Sequence, residues 1–182
     1  MSRYVLDCCS LLNLYCGWGG IRELNDFGEN WGIGQTALRE ARYVYEFESD
    51  GSRARVEISQ ESLLRQHPLS ILRLNSSEIP LLVELAAKLD DGEAEGMVLA
   101  FRRGLVFVSD DRPTQRVATE LGFSTPIVST PELLIEWAGD NPERLNRLPS
   151  IVRRIEQLAK FRPHKGSPHL AWWLEILEKQ MK

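Results

Sequence analysis

The sequence predicts an α/β fold built on a parallel sheet, and three observations carry that expectation. Short apolar segments of strand length alternate with segments of helical period along the 182 residues. One of them, the LVFVS run at 105–109, is continuously apolar up to its last residue, as a strand buried on both faces must be. Acidic residues follow such segments, Asp7 after Tyr4–Leu6 and Asp110–Asp111 after the LVFVS run. In a parallel sheet the carboxyl ends of the strands converge on one crevice.

The first strand, Tyr4 to Leu6, feeds a helix through LLNLY. Between Gly17 and Gly34 the glycines and aromatics support only a short helix near Ile21 to Phe27. Thr36 reads as the cap of a helix ALREARYVY that carries Glu40. Residues 43–59 alternate around Asp50-Gly51, a hairpin signature. A short helix near Glu61 to Gln66 precedes the strand SILRLN, and Ser76 or Ser77 is expected to cap EIPLLVELAAKL. The next helix begins near Asp91 to Glu93. After the LVFVS strand come a helix closed by Gly122, a last strand PIVS, and a helix with Thr130 as cap and Pro131 at its first position. Helices near Pro142 to Phe161 and Pro168 to Met181 flank the breaker RPHKGSP. The expected organisation is an α/β domain over 1–139 with a helical C-terminal extension over 140–182 packed on it.

With 43% hydrophobic residues, the chain is long enough for one cored domain. No run approaches the roughly 18 apolar residues of a membrane span, so the expectation is a cytoplasmic protein without a membrane partner. Cys8, Cys9 and Cys16 are odd in number and lack a CxxC or Cys/His pairing, which suits reduced thiols. His67, His164 and His169 sit near prolines and share no helix face. The net charge of −4 is uneven: from residue 151 onward seven basic residues stand against three acidic ones, giving +4 and leaving −8 for the rest. A basic tail can supply phosphate contacts that an acidic crevice cannot, although a solvated helix face explains it as well. In the last helix Leu170, Trp173, Leu174 and Leu177 form one stripe for packing. Trp172 and Ile176 are left for a second surface, such as a homodimer or an inhibitor protein.

Four acidic positions, Asp7, Glu40, Glu93 and the Asp110–Asp111 pair, are candidates for one carboxylate site. Two unit charges about 4 Å apart repel by about 4 kcal/mol at an effective dielectric of 20, so such a cluster calls for a cation. Mg²⁺ or Mn²⁺, held by carboxylates with open water positions, polarises a phosphoryl oxygen and acidifies a bound water, which points to phosphodiester hydrolysis. Asp7, Glu93 and Asp111 are the candidate ligands, with Asp110 beside them, Glu40 positioning a water or a second cation, and Ser109 and Ser10 in support. Structural roles compete: Asp7 as a cap of the helix at Ser10, Asp110 as a cap of the helix near Pro113, and Glu93 and Glu95 as acids complementing a helix start.

YVLDCCSLLNLY, a following helical Glu, LDDGEAEGMVLA and LVFVSDDRPTQRVATELGF, in that order and spacing from Arg3 to Val128, resemble the PIN-domain family. That family includes ribonuclease toxins of prokaryotic toxin–antitoxin pairs. The resemblance implies a PIN-like three-layer α/β/α domain with a central parallel sheet. It also implies metal-dependent cleavage of single-stranded RNA and an antitoxin protein as a partner. It carries the family's acids onto Asp7, Glu93 and Asp111, and onto Glu40, for which Glu46 and Glu48 compete. The chain departs from the pattern where Cys8 and Cys9 replace a hydroxyl or amide residue after the first Asp, and in its hairpin and tail. A catalytically inactive PIN-like module that holds RNA or protein is the alternative. A phosphatase of the haloacid-dehalogenase type would want a second Asp where Cys9 stands.

Overall fold

A computed structural model describes residues 3–66 and 69–179. His67 and the end of the last expected helix at Met181 lie outside them. A central, fully parallel five-stranded sheet is flanked by helices, compatible with a three-layer α/β/α arrangement. Its strands are β1 (Tyr4–Leu6), β2 (Trp31–Gly34), β5 (Leu69–Leu72), β6 (Val106–Val108) and β7 (Ile127–Val128), in the order β5-β2-β1-β6-β7. Strands β3 (Tyr43–Phe47) and β4 (Arg53–Glu57) form the expected separate hairpin, turned at Gly51 with φ +82°.

Strand β1 is the centre of the sheet. Leu6 pairs with Ile33 of β2 on one side and with Val108 of β6 on the other. All three β1 residues are buried because both sheet faces are covered. Tyr4 and Leu6 enter one core cluster and Val5 the other, following the two-residue alternation of a strand. The first core is closed by α1 (Cys8–Trp18), α2 (Gln35–Glu40), α7 (Thr130–Ala138), α8 (Pro142–Arg154) and α9 (Leu170–Glu178). The second is closed by α4 (Ile79–Ala86), α5 (Asp91–Arg103) and α6 (Arg112–Glu120). A short α3 (Gln60–Gln66) leads into β5. No helix among the described residues is long and apolar enough to cross a membrane.

Several local expectations shift. Trp31–Gly34 is a strand, although WGIG carries two glycines; Gly32 is required because a Cβ there would lie 2.4 Å from Leu72 Cδ1 on the neighbouring strand. Helix α2 ends at Glu40 instead of running through ARYVY, because Tyr43 onward pairs with β4. It is capped from Gly34, not Thr36. Helix α4 starts after Glu78, not after a serine: the Glu78 carboxylate accepts the Asn75 N–H at 2.8 Å and two Arg103 N–H groups at 2.9 Å. Helix α7 is capped by Ser129, whose hydroxyl and backbone form a reciprocal box with Glu132. That register frees Thr130 for the site described below.

The tail is part of the core. Trp173 and Ile176 are buried with α8 residues, while Leu174 is exposed. This reverses the assignment of Leu174 to packing and Ile176 to a second surface. The rotation follows from Trp173 meeting Phe161 edge-on at 5.5 Å and donating its indole N–H to Glu156 at 3.3 Å.

Candidate acidic site at the strand switch point

Connections from β1 run to β2 on one side of the sheet, and the chain later crosses over to β6 on the other. The switch point of the strand order therefore lies between the carboxyl ends of β1 and β6, where open parallel sheets hold their ligands. Asp7 follows β1, and its N–H donates to Val108 O at 3.0 Å, pinning it to the end of β6. Ser109, Asp110 and Asp111 follow β6 directly.

Asp7 is buried and caps α1: Ser10 N–H donates to its Oδ1 at 2.6 Å. The capping role that competed with ligation at Asp7 is therefore filled. Its Oδ2 is enclosed and accepts no well-formed hydrogen bond. Burial pushes the carboxyl up to about 6 and the Asp110 charge adds to that, while the Ser109 hydroxyl and the Ser10 donors hold it back. An enclosed oxygen without a donor is costly unless a proton or a cation meets it.

Asp111 caps α6, accepting Thr114 N–H at 3.1 Å on Oδ2. The expected capping role of Asp110 thus moves one residue on, because Asp110 is engaged elsewhere. It accepts the Thr130 N–H at 2.8 Å and the Thr130 hydroxyl, the Asn13 amide at 2.9 Å and the Ser10 hydroxyl at 3.5 Å. These donors hold the carboxyl down against burial, which still raises it. So Asp110 ties α1 to α7 across the site. The hydroxyl oxygen of buried Ser109 accepts the Asp111 N–H at 3.2 Å and fixes the turn between the acids.

Glu93 reaches this pair from the first turn of α5. Burial first, then the charges of Asp111, Asp7 and Asp90, push it up to about 7. The charges of Asp7 and Asp111 thus act on Glu93, and that of Asp110 on Asp7. Cys9 reaches solvent, yet burial of its sulfur and then the charges of Asp7, Glu93, Asp110 and Asp111 push the thiol up to about 12. A cysteine so placed is neutral and a poor nucleophile at neutral pH.

Glu40 stands at the rim. Burial and the neighbouring charges of Asp90, Asp91 and Glu95 raise it, and it reaches the main group through Cys8, whose thiol feels both Glu40 and Asp7. Gly92 permits this approach: a Cβ there would lie 2.6 Å from Glu40 Oε2. Glu46, a competing candidate, lies instead on the hairpin near Tyr15. Glu48 follows β3 in the hairpin turn.

Glu95 does not complement its own helix start. It is buried and accepts Thr36 N–H at 2.6 Å, serving from α5 as the cap that Gly34 cannot provide to α2. The absence of a side chain at Gly34 makes room for it. Sequence reasoning missed this and the bracing by Asn13 and Thr130; a capping position held by a glycine was the available signal for the first.

Among the described residues no three His, Cys, Asp or Glu side chains stand as a ready-made cation cage. The donor set nevertheless suits a hard cation: every candidate is a carboxylate, one enclosed oxygen lacks a partner, and two carboxyls are raised by burial first and by neighbouring acids second. Compared with family models, curated proteins and solved structures, the chain gives no match.

Proposed function

We propose that this chain is a PIN-like, divalent-metal-dependent ribonuclease acting on single-stranded RNA. The observation that carries the reading is the enclosed, unpartnered Oδ2 of Asp7 at the sheet switch point, within the charge field of Glu93, Asp110 and Asp111. Asp7, Glu93 and Asp111 would hold Mg²⁺ or Mn²⁺. Bound there, the cation supplies positive charge at a phosphoryl oxygen and acidifies a water for attack on phosphorus. Asp110, saturated by Thr130, Asn13 and Ser10, keeps α1 and α7 in register and so positions Asp7. Glu40 at the rim orients a water toward the acids. Cys8 and Cys9, neutral at working pH, take no part in proton transfer. The toxin role of a toxin–antitoxin pair belongs to the same reading, and a short adjacent gene for a DNA-binding protein would support it.

A second reading, a metal-free module that binds RNA or protein, is favoured by one observation. Asp7 and Asp111 are both spent as helix caps, and no preformed cage exists among the described residues. Cleavage of a single-stranded oligoribonucleotide with Mn²⁺ separates the two. Asp7→Asn keeps an oxygen for the Ser10 N–H, so the fold is expected to survive while Mn²⁺-stimulated cleavage is abolished. Cleavage at the parent rate would remove Asp7 from the site.

A further inference from the structure

Two of the acids open onto a cleft. Asp110 and Asp111 line it together with Arg112, Gln115, Arg162 and His164, in a space of about 290 Å³ between the start of α6 and the loop that precedes α9. A second concavity shares Arg112, Gln115 and His164 with it and continues along α6 to Arg116 and Thr119. The two make a track that leads from the carboxylates past cationic side chains. The wall opposite α6 is the RPHKGSP segment, which the sequence marks only as a breaker between helices.

The charges on this track are specific. Arg112 is exposed and makes no ion pair among the described residues. Arg162 is paired with Glu156, which fixes it on the loop side of the cleft. Arg116 meets Glu120 only at 3.8 Å with both side chains largely exposed, a contact of little strength. His164 Nδ1 accepts the Gly166 N–H at 3.0 Å, which puts the ring's donor at Nε2. Against these stand Asp110 and Asp111 at one end, and Glu132 in a neighbouring concavity beside His169. Pro131, Pro163 and Phe161 give the cleft apolar floor.

From this arrangement we infer that the cleft between α6 and the 161–167 loop is a subsite for the phosphodiester backbone of single-stranded RNA, with Arg112 and His164 contacting phosphates next to the one at the acids. The inference rests on the ribonuclease reading and adds where the strand lies. An acidic site repels the polyanion it must receive, and cations placed just beyond the carboxylates offset that repulsion. Arg offers a planar fork to phosphate oxygens, and the His164 N–H offers a single donor.

The test is binding of a fluorescein-labelled 12-nucleotide single-stranded oligoribonucleotide in EDTA, by anisotropy across a salt series, so that neither metal nor cleavage enters. Each lost phosphate contact lowers the slope of log affinity against log salt by about 0.7. Arg112→Glu and His164→Ala together are expected to weaken binding more than tenfold at low salt and to flatten the slope by at least one contact. Asp7→Asn is expected to bind at least as tightly as the parent. Unchanged melting of the double variant and an unchanged Mn²⁺ response show that the fold and the acids are intact. Parent-like binding by the double variant overturns the subsite, even if the parent cleaves RNA. No binding by the parent overturns it also. Loss of binding in the double variant with no Mn²⁺ response in the parent sustains the subsite and removes the nuclease reading. Preference for a protein partner over RNA at this face, read by competition with the oligonucleotide, would overturn it as well.

Discussion

Asp7 and Glu93 are carboxyls that the fold makes harder to ionise. Each binds its proton more tightly folded than unfolded, so each contributes stability while protonated and loses it as pH rises. The loss begins near the ordinary carboxylate range of about 4, and it is complete above the raised values of about 6 for Asp7 and about 7 for Glu93. Glu78 has the opposite sign, because Arg103 holds it below the usual range, but its contribution is lost only at lower pH. The metal-free protein is therefore expected to melt at a higher temperature at pH 5.5 than at pH 7.5, and Asp7→Asn should shrink that difference. A melting temperature that rises over the same interval in the parent would contradict the raised carboxyls inferred at the site. At this scale the acids were legible in the sequence, because a carboxylate after a parallel strand has few places to go. Their division of labour was not, because whether Asp110 or Asp111 caps α6 depends on Thr130 and Asn13, which approach from other helices.

Helices and strands were legible wherever their own residues decide them. The hairpin announces itself through Asp50-Gly51, and α5 through the acids Asp91 to Glu93 at its start. Strand β2 was not, since WGIG has neither alternation nor β-branched density beyond Ile33, and only its neighbours β1 and β5 make it a strand. Likewise α2 takes its cap from Glu95, 59 residues away. Removing that cap with Glu95→Ala should cost about 1 kcal/mol and fray α2, moving Glu40 away from the rim. Hydrogen exchange at Thr36 reads this directly; protection equal to the parent would show that the cap contributes nothing. Trp173→Ala should cost about 3–5 kcal/mol, since the ring is fully buried between α9 and the turn at Phe161. A loss under 1 kcal/mol by denaturant titration would mean that α9 is an accessory after all.

Across the whole molecule, the strand order places the carboxyl ends of β1 and β6 side by side, and from that adjacency follow both the acid cluster and the cleft beside it. The α/β class and the parallel sheet were readable from alternation alone. That the C-terminal extension packs on the domain, with Trp173 inward, was readable too, but the rotation that buries Ile176 and exposes Leu174 was not, because tertiary contact and not any stripe unique to one register sets it. The central claim is that the acids hold a divalent cation in the folded state only, and such a ligand must raise the melting temperature by mass action. The measurement is the melting curve of the parent, Asp7→Asn and Glu93→Gln at pH 7.5 with Mn²⁺ from zero to several millimolar. The parent is expected to gain several degrees with a saturating dependence on Mn²⁺, and both variants to lose most of that gain. A parent curve that does not move across the series would contradict the account and leave the metal-free module as the reading.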